Sequence, residues 1–208
     1  MLWILALLPL LLTAAVYHKL PQQIPTHWDF SGTVTYSSKP HIWLLAGLSV
    51  LMAAFYMLLP KIDPRRYNYD RFAGSYWNFG ILLMGFLLGM LLLVLSESLW
   101  PHQIPVGRVV AGGLGLMYLF LGNMLPKIKN NFFMGLKNPW TLSDEDVWNR
   151  THRLGGILLF LNGGIILGSC FWLSEKMLFG LLFCGLLFST LIPNVMSYLW
   201  YRQKEHSK

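Results

Sequence analysis

The sequence predicts an all-α membrane protein with six transmembrane helices, both termini cytoplasmic, and an interfacial amphipathic helix before the fifth span. Three observations point there. Of the 208 residues, 55% are hydrophobic and only 12% are charged, against roughly 25% charged in an ordinary soluble domain. Six apolar windows approach the length of a membrane helix and contain no Asp, Glu, Lys, Arg or His. The segments between them are Pro-rich, basic or mixed. This composition excludes a soluble globular domain, and it excludes a disordered chain, which would be poor in apolar residues.

The first window, 2–17, lacks the Lys/Arg start of a secretory signal and is read as a retained span. A Pro-rich outer loop, 20–40, leads to the second window, 42–59. A basic loop, 60–76, precedes the third, 77–95, and a short connection, 96–108, precedes the fourth, 109–125. The long mixed connection 126–153 leads to the fifth window, 154–173. Only Ser174, Glu175 and Lys176 separate it from the sixth, 177–200. Trp3, Trp43, Trp77, Trp100, Trp172 and Trp200 stand near window ends, at the depth an amphipathic ring prefers. Two regions follow: an N-terminal two-span region, 1–76, and a four-span region, 77–208.

Orientation comes from counting Lys and Arg near the span ends. Loop 60–76, loop 126–153 and the C-terminal tail hold twelve of them; the opposite side holds four, Lys19, Lys39, Arg108 and Lys176. The richer side is read as cytoplasmic. The net charge of +7 then reflects the positive-inside bias and calls for no direct nucleic-acid contact. Leu20-Pro21-Gln22-Gln23-Ile24-Pro25 is echoed by Trp100-Pro101-His102-Gln103-Ile104-Pro105, and Leu59-Pro60-Lys61-Ile62 by Leu125-Pro126-Lys127-Ile128. The echo is either a parallel repeat or the ordinary punctuation of span ends.

Ionisable residues inside spans mark ion and proton pathways; the windows have none, which disfavours coupled transport. Asn194 follows Pro193, and local satisfaction of a kink is its expected role. Gly85 with Gly89, and Gly164 with Gly168, place small residues on one helix face, where they suit packing within the bundle. Cys170 and Cys184 lie within spans as buried thiols, with no disulfide expected. His18, His27, His41 and His102, with Asp29, lack the spacing of a zinc motif, so no metal and no other cofactor is expected. No nucleophile, phosphate loop or paired carboxylate stands out, and the chain reads as no enzyme.

The most specific stretch is 130–156, NNFFMGLKNPWTLSDEDVWNRTHRLGG. Phe132, Phe133 and Met134 are apolar in an otherwise polar loop, Gly135 permits a turn, and Pro139 stiffens the chain before Trp140. Ser143 with Asp146 three residues on reads as an N-cap, and Asp144 and Glu145 complement the helix dipole. Val147, Trp148, Thr151 and Leu154 recur at helical spacing, an apolar face suited to the membrane interface. One reading is an interfacial helix that covers the bundle floor; the other is a docking surface.

Asn131-x-Phe133-x-Gly135-x-Lys137-x-Pro139-Trp140-Thr141-Leu142-Ser143, followed by Val147-Trp148-x-x-Thr151-His152-x-x-Gly155-Gly156, resembles the signature of the SdpI family of bacterial membrane immunity proteins. Leu20-Pro21-x-x-Ile24-Pro25-x-His27-Trp28-x-x-x-Gly32 resembles the small N-terminal domain of unknown function that often precedes it. Lys137-Asn138 departs from the Arg-Thr more often expected there. The resemblance implies a bacterial cell-membrane protein giving resistance to a secreted antimicrobial peptide toxin of SdpC type, and a receptor that holds a small DNA-binding repressor at the membrane. On that basis Asn131, Gly135, Lys137, Pro139, Trp140, Thr141, Trp148, Thr151 and His152 are the candidate partner-binding residues of the cytoplasmic loop. Pro21, Ile24, Pro25, His27, Trp28 and Gly32 are the candidate toxin-facing residues outside. The alternative is a small-solute or peptide transporter without an immunity role.

Overall fold

A computed structural model describes residues 1–29 and 33–206. Helix α1 (Leu2–Val16) ends in a single 3-10 turn, Tyr17–Lys19. A β-hairpin follows, β1 (Gln23–Trp28) and β2 (Val34–Ser38), and then α2 (Ile42–Ile62). A 3-10 segment, Arg66–Phe72, introduces α3 (Ala73–Leu99), and α4 (Val106–Met124) returns across the bundle. After the one-turn helix α5 (Pro139–Ser143) come α6 (Glu145–Ser169) and α7 (Glu175–His206).

The six long helices alternate in direction, as the buried clusters reveal. The start of α1 (Leu2, Ala6), the end of α2 (Leu59), the start of α3 (Tyr76) and the end of α4 (Met124) share one core with Trp148. At the opposite end Leu20, Ile24 and Ile42 pack with Leu91, Val94 and Leu95. The N-terminus, segments 63–72 and 126–144 and the C-terminal turns of α7 therefore lie at one end of the bundle. The hairpin and the 100–105 turn lie at the other.

Five helices are long and apolar enough to cross a membrane, those built on α1, α2, α3, α4 and α7. The remaining one, α6, opens with about two and a half largely polar turns, Glu145 to Arg153. Its apolar stretch from Leu154 to Ser169 is about 24 Å long at 1.5 Å per residue, short of the ~30 Å hydrocarbon core. It is nonetheless deeply packed, with extensive contacts to both α4 and α7.

Two expectations are corrected. The chain is not all-α, because the Pro-rich outer loop contains the hairpin. Ile24 pairs with Ser37 and Trp28 with Val34, and the register slips between Pro25 and His27. A proline cannot donate to a ladder and is tolerated at such a bulge, so its presence hides the strand. Nor is there a separate interfacial helix before the fifth span. The turns expected to lie on the membrane run unbroken into the apolar part of α6, and Val147, Trp148, Thr151 and His152 are buried in protein. The Gly155-Gly156 pair does not break the helix because both residues are packed closely: a Cβ at Gly155 would strike Leu136, and one at Gly156 would strike the Gly122 carbonyl and Pro126.

The echoed Gln-Ile-Pro segments fold differently, one into β1 and the other into the turn before α4. Packing glycines also differ from those expected. Around Gly85, Gly89 and Gly168 a Cβ would meet nothing within 4 Å. Gly85 and Gly89 instead line an apolar groove of about 440 Å³ between α3 and α4. The close approach is made by Gly115 and Gly122 of α4 against α6, and by Gly156 and Gly163 of α6 against α4. Each pair is spaced seven residues, two turns on one face.

Several polar groups of the long helices find partners within the bundle, while Thr13 Oγ1 and Asn162 Nδ2 are buried without one. Ser49 donates to the Ala6 carbonyl at 2.7 Å, tying α2 to α1. Tyr56 and Tyr76 stack at 4.3 Å and each donates to the other's backbone carbonyl. Asn194 donates to the Thr190 carbonyl one turn back, at 2.8 Å. Because α3 runs past the third window, it carries a buried acid, Glu97, whose Oε2 accepts the His102 N–H at 3.1 Å while Oε1 has no hydrogen-bond partner.

Candidate functional site

The segment from Ile128 to His152 is built as a polar lattice under the bundle floor, and it starts from a residue outside it. Asp63 caps the C-terminus of α2 and is 2% exposed. Its Oδ1 accepts the Arg65 N–H at 2.7 Å, an Asx turn that Pro64 favours. Its Oδ2 accepts the Tyr69 hydroxyl and the Phe132 N–H, each at 3.0 Å. Asp63 thus joins the second connection to the fourth. Arg65 completes the joint: its guanidinium donates to Asn130 Oδ1 and to the Leu142 carbonyl, and lies 4.8 Å from the Phe132 ring centroid. Asn68 donates to the Asn130 carbonyl at 2.6 Å.

Asn131, fully buried, organises the next turn. Its amide donates to the Lys129 and Met134 carbonyls, and its Oδ1 accepts the N–H groups of Phe133 and Met134. Lys137 Nζ then closes the turn on the Phe132 and Phe133 carbonyls at 3.0 and 2.9 Å. An ammonium does this with three donors, where an arginine would reach with a fork.

Gly135 has φ +107°, a conformation that L side chains rarely adopt. The turn it makes aims the Leu136 N–H at His152 Nε2, 3.0 Å away. Since Nε2 accepts, Nδ1 carries the proton and donates to the Trp148 carbonyl at 2.8 Å. The ring stacks on Trp148 at 3.9 Å, and Trp148 Nε1 donates to the Ile128 carbonyl at 2.9 Å. Burial pushes the His152 pKa down to about 4, against the upward pull of the Trp148 carbonyl. The ring is neutral at pH 7.

Asn138 forms a reciprocal capping box with Thr141 at the start of α5. Its amide also donates to Asn194 Oδ1 at 2.7 Å and Ser197 Oγ at 2.8 Å, which clasps the loop to α7 beside Pro193. Trp140 packs at 5.1 Å on Tyr198 of the same helix. The N-cap of α6 is Asp144, which accepts from the N–H groups of Asp146 and Val147. Ser143, expected in that role, donates instead to the Pro139 carbonyl at 2.6 Å. Asp144 has the extended backbone an N-cap needs, and Lys204 of α7 grips it at 2.8 Å. Burial alone would raise the Asp144 carboxyl, but Lys204 and the two capped amides outweigh it and hold it below the usual range.

The candidate loop residues are thus brought together, in two classes. Asn131, Thr141, Trp148, Thr151 and His152 are buried, and all but Thr151, whose hydroxyl has no partner, hold the loop's shape through hydrogen bonds. Lys137 and Pro139 are exposed, and Gly135 and Trp140 are half-buried at the surface. On the other end of the bundle, Pro21 and His27 are exposed, Ile24 and Pro25 are buried, and Trp28 is half-buried against the core beneath the hairpin. Gly32 lies outside the described residues. The two groups do not meet. Asp63, Arg65, Asn68 and Asn194 join the site without having been expected there; the Asp63-Pro64 turn signal and the buried-amide requirement of loop 126–144 are the cues that point to them. Among the described residues no three of His, Cys, Asp and Glu converge as metal ligands. Most of the loop's polar side chains, Asn130, Asn131, Lys137, Asn138 and Thr141 among them, are engaged in internal bonds, an arrangement suited to presenting a shaped surface.

The neutral His152 carries a pH dependence with a definite sign. Its folded pKa lies below the ordinary 6.5, so its contribution is complete above 6.5 and declines as pH falls from 6.5 towards 4. At most about 3 kcal/mol is at stake, at 1.36 kcal/mol per unit. The melting temperature of the detergent-solubilised protein is expected to drop between pH 6.5 and 4.5. In His152→Gln the slope over that range should flatten; an unchanged slope would assign the acid sensitivity elsewhere.

Comparison with known proteins places this geometry. Residues 127–197 match the SdpI/YfhL protein family, and residues 4–53 match a domain of unknown function, DUF1648. Over 207 residues, 99% of this chain and 96% of the relative, the sequence is 27% identical to the Immunity protein SdpI of Bacillus subtilis (strain 168). No solved structure matches the chain.

Proposed function

From the match of residues 127–197 to the SdpI/YfhL protein family, we propose that the chain is a member of it, a multi-pass bacterial cell-membrane protein conferring immunity to a secreted antimicrobial peptide toxin. The observation that carries this reading is the end-to-end likeness to an immunity protein, which includes both the outer hairpin region and the inner loop. All six long helices cross the membrane in this reading, with α6 the short one. The end bearing both termini and segments 63–72 and 126–144 is cytoplasmic, in keeping with the excess of Lys and Arg there.

The toxin, of SdpC type, meets the outer face, where Pro21, His27 and Trp28 are accessible on and beside the hairpin. Inside, a small DNA-binding repressor docks on the surface made by Lys137, Pro139 and Trp140, and Asn131, Thr141, Trp148 and His152 hold that surface in shape. The clasp from Asn138 to Asn194 and Ser197 supports a route between the faces, because it couples the loop to the helix that runs the full depth of the bundle.

The test is survival of a toxin-sensitive bacterium expressing the chain and challenged with an SdpC-type peptide. Wild type is expected to protect relative to empty vector. Trp140→Ala is expected to insert at an equal level and to release the cytoplasmic partner, read by its loss from the membrane fraction. Absence of protection at full membrane level would remove that toxin as the ligand. Gradient-dependent solute movement in vesicles would instead favour a transporter.

A further inference from the structure

Where the second connection meets the fourth, a polar cavity of about 290 Å³ opens at the basic end of the bundle, lined by Arg65, Tyr67, Asn68, Arg71, Asn130 and Glu145. Its charges are uncompensated from within. The ion pairs among the described residues join Arg150 to Asp146 and Lys204 to Asp144 and Asp146; none involves Arg65, Arg71 or Glu145. Arg65 is held in place by Asn130, Leu142 and Phe132. Arg71 is exposed and makes one long bond, 3.4 Å to Asn68 Oδ1, so most of its five donors face outward.

We propose that this cavity receives a phospholipid headgroup, its phosphodiester between Arg65 and Arg71 and a headgroup ammonium at Glu145, which makes it a phosphatidylethanolamine site. Arg71 offers a forked guanidinium that suits phosphate oxygens, and Arg65, whose Nη1 and Nη2 already donate to Asn130 and Leu142, adds positive charge beside it. The carboxylate of Glu145 opposes a purely anionic ligand and matches the second, positive half of a zwitterion. Position argues for a lipid over a soluble acidic peptide. The cavity lies in the connection between α2 and α3; Tyr67 in its wall is 67% exposed, and Phe132, whose ring packs against Arg65, is 41% exposed. Apolar side chains presented beside a basic cavity at span ends match the boundary between headgroups and acyl chains.

The test uses the purified full chain in neutral detergent, with lipid adducts read by native mass spectrometry. The probes are dioleoyl phosphatidylethanolamine and phosphatidylglycerol. Wild type should retain the ethanolamine lipid preferentially. Arg71→Gln should weaken it at least about tenfold, the loss of a charge-assisted contact, and Arg71→Lys should restore part of it. Glu145→Gln should abolish the preference for ethanolamine over glycerol. Arg71→Gln is expected to melt like wild type without lipid; should it not fold, Glu145→Gln carries the test, since that residue lies exposed in the first turn of α6. An unchanged adduct ratio in Glu145→Gln, or wild-type binding by Arg71→Gln, overturns the proposal. So does protection against melting by inorganic phosphate or a polyglutamate peptide equal to that given by the lipid.

Discussion

Asp63→Ala is expected to dismantle the inner loop while leaving the spans inserted. The carboxylate accepts three donors, the N–H groups of Arg65 and Phe132 and the Tyr69 hydroxyl, in a setting only 2% exposed. Truncation orphans all three where water reaches them poorly, a loss of about 3–5 kcal/mol on the scale of broken buried polar networks. Asp63→Asn does less damage, because one oxygen remains, but its NH2 must face at least one of those donors. The measurement is trypsin cleavage at Lys127, Lys129 and Lys137 in the detergent-solubilised protein, alongside its melting temperature. Rapid cleavage in Asp63→Ala and intermediate cleavage in Asp63→Asn are expected. Wild-type resistance in both would show that the loop holds without this joint.

Gly135→Ala should be comparably damaging through a different cause. At φ +107° an alanine carries backbone strain of about 1–3 kcal/mol. The added Cβ also strikes His152 Nε2, the atom that accepts the Leu136 N–H. The two costs can be separated. Removing the ring in His152→Ala opens space for the methyl group, so the double variant should be more stable than the sum of the single losses predicts, by about 1 kcal/mol or more. Additive losses would mean that the strain alone sets the cost and that the contact is relieved by a small shift of the ring.

Span positions are legible in the sequence because a long apolar run without charges has nowhere to go in water and suits the bilayer core. Even so, a window that ends at Leu95 leaves out Glu97, which α3 carries two residues further on. The hairpin is hidden for a physical reason: Pro25 contradicts a strand unless a bulge accepts it, and a bulge is a property of the pair, not of either strand. The signature loop stands out as the information-rich stretch, yet the pattern alone puts Trp148 and His152 at a surface, where the structure buries them. Their helical spacing defines a face without saying what covers it. Ile128, twenty residues away in sequence, and the turn at Gly135 do the covering. Asp63 is concealed by its surroundings, since loop 60–76 is dominated by basic residues and an acid beside Pro64 reveals its role as a cap only once its three donors are in place. The seven-residue glycine spacings on α4 and α6 are equally present in the sequence, but nothing in the spacing says which of the many glycines in the spans face a neighbouring backbone.

The backbone contact between α4 and α6 has a mechanical consequence. Gly122 and Gly163 leave less room than a methyl group between one helix's main chain and the other's. Packing at that distance has few soft side chains to absorb a displacement, so the two helices behave as one stiff strut with α7 braced along it. Compliance is concentrated across the bundle, where α3 meets α4 through an open groove with Gly85 and Gly89 on its wall. Along the strut there is little side-chain give to absorb a load applied at the end bearing the hairpin. At the opposite end α7, braced along the strut, is where the amide of Asn138 hooks over Asn194 and Ser197.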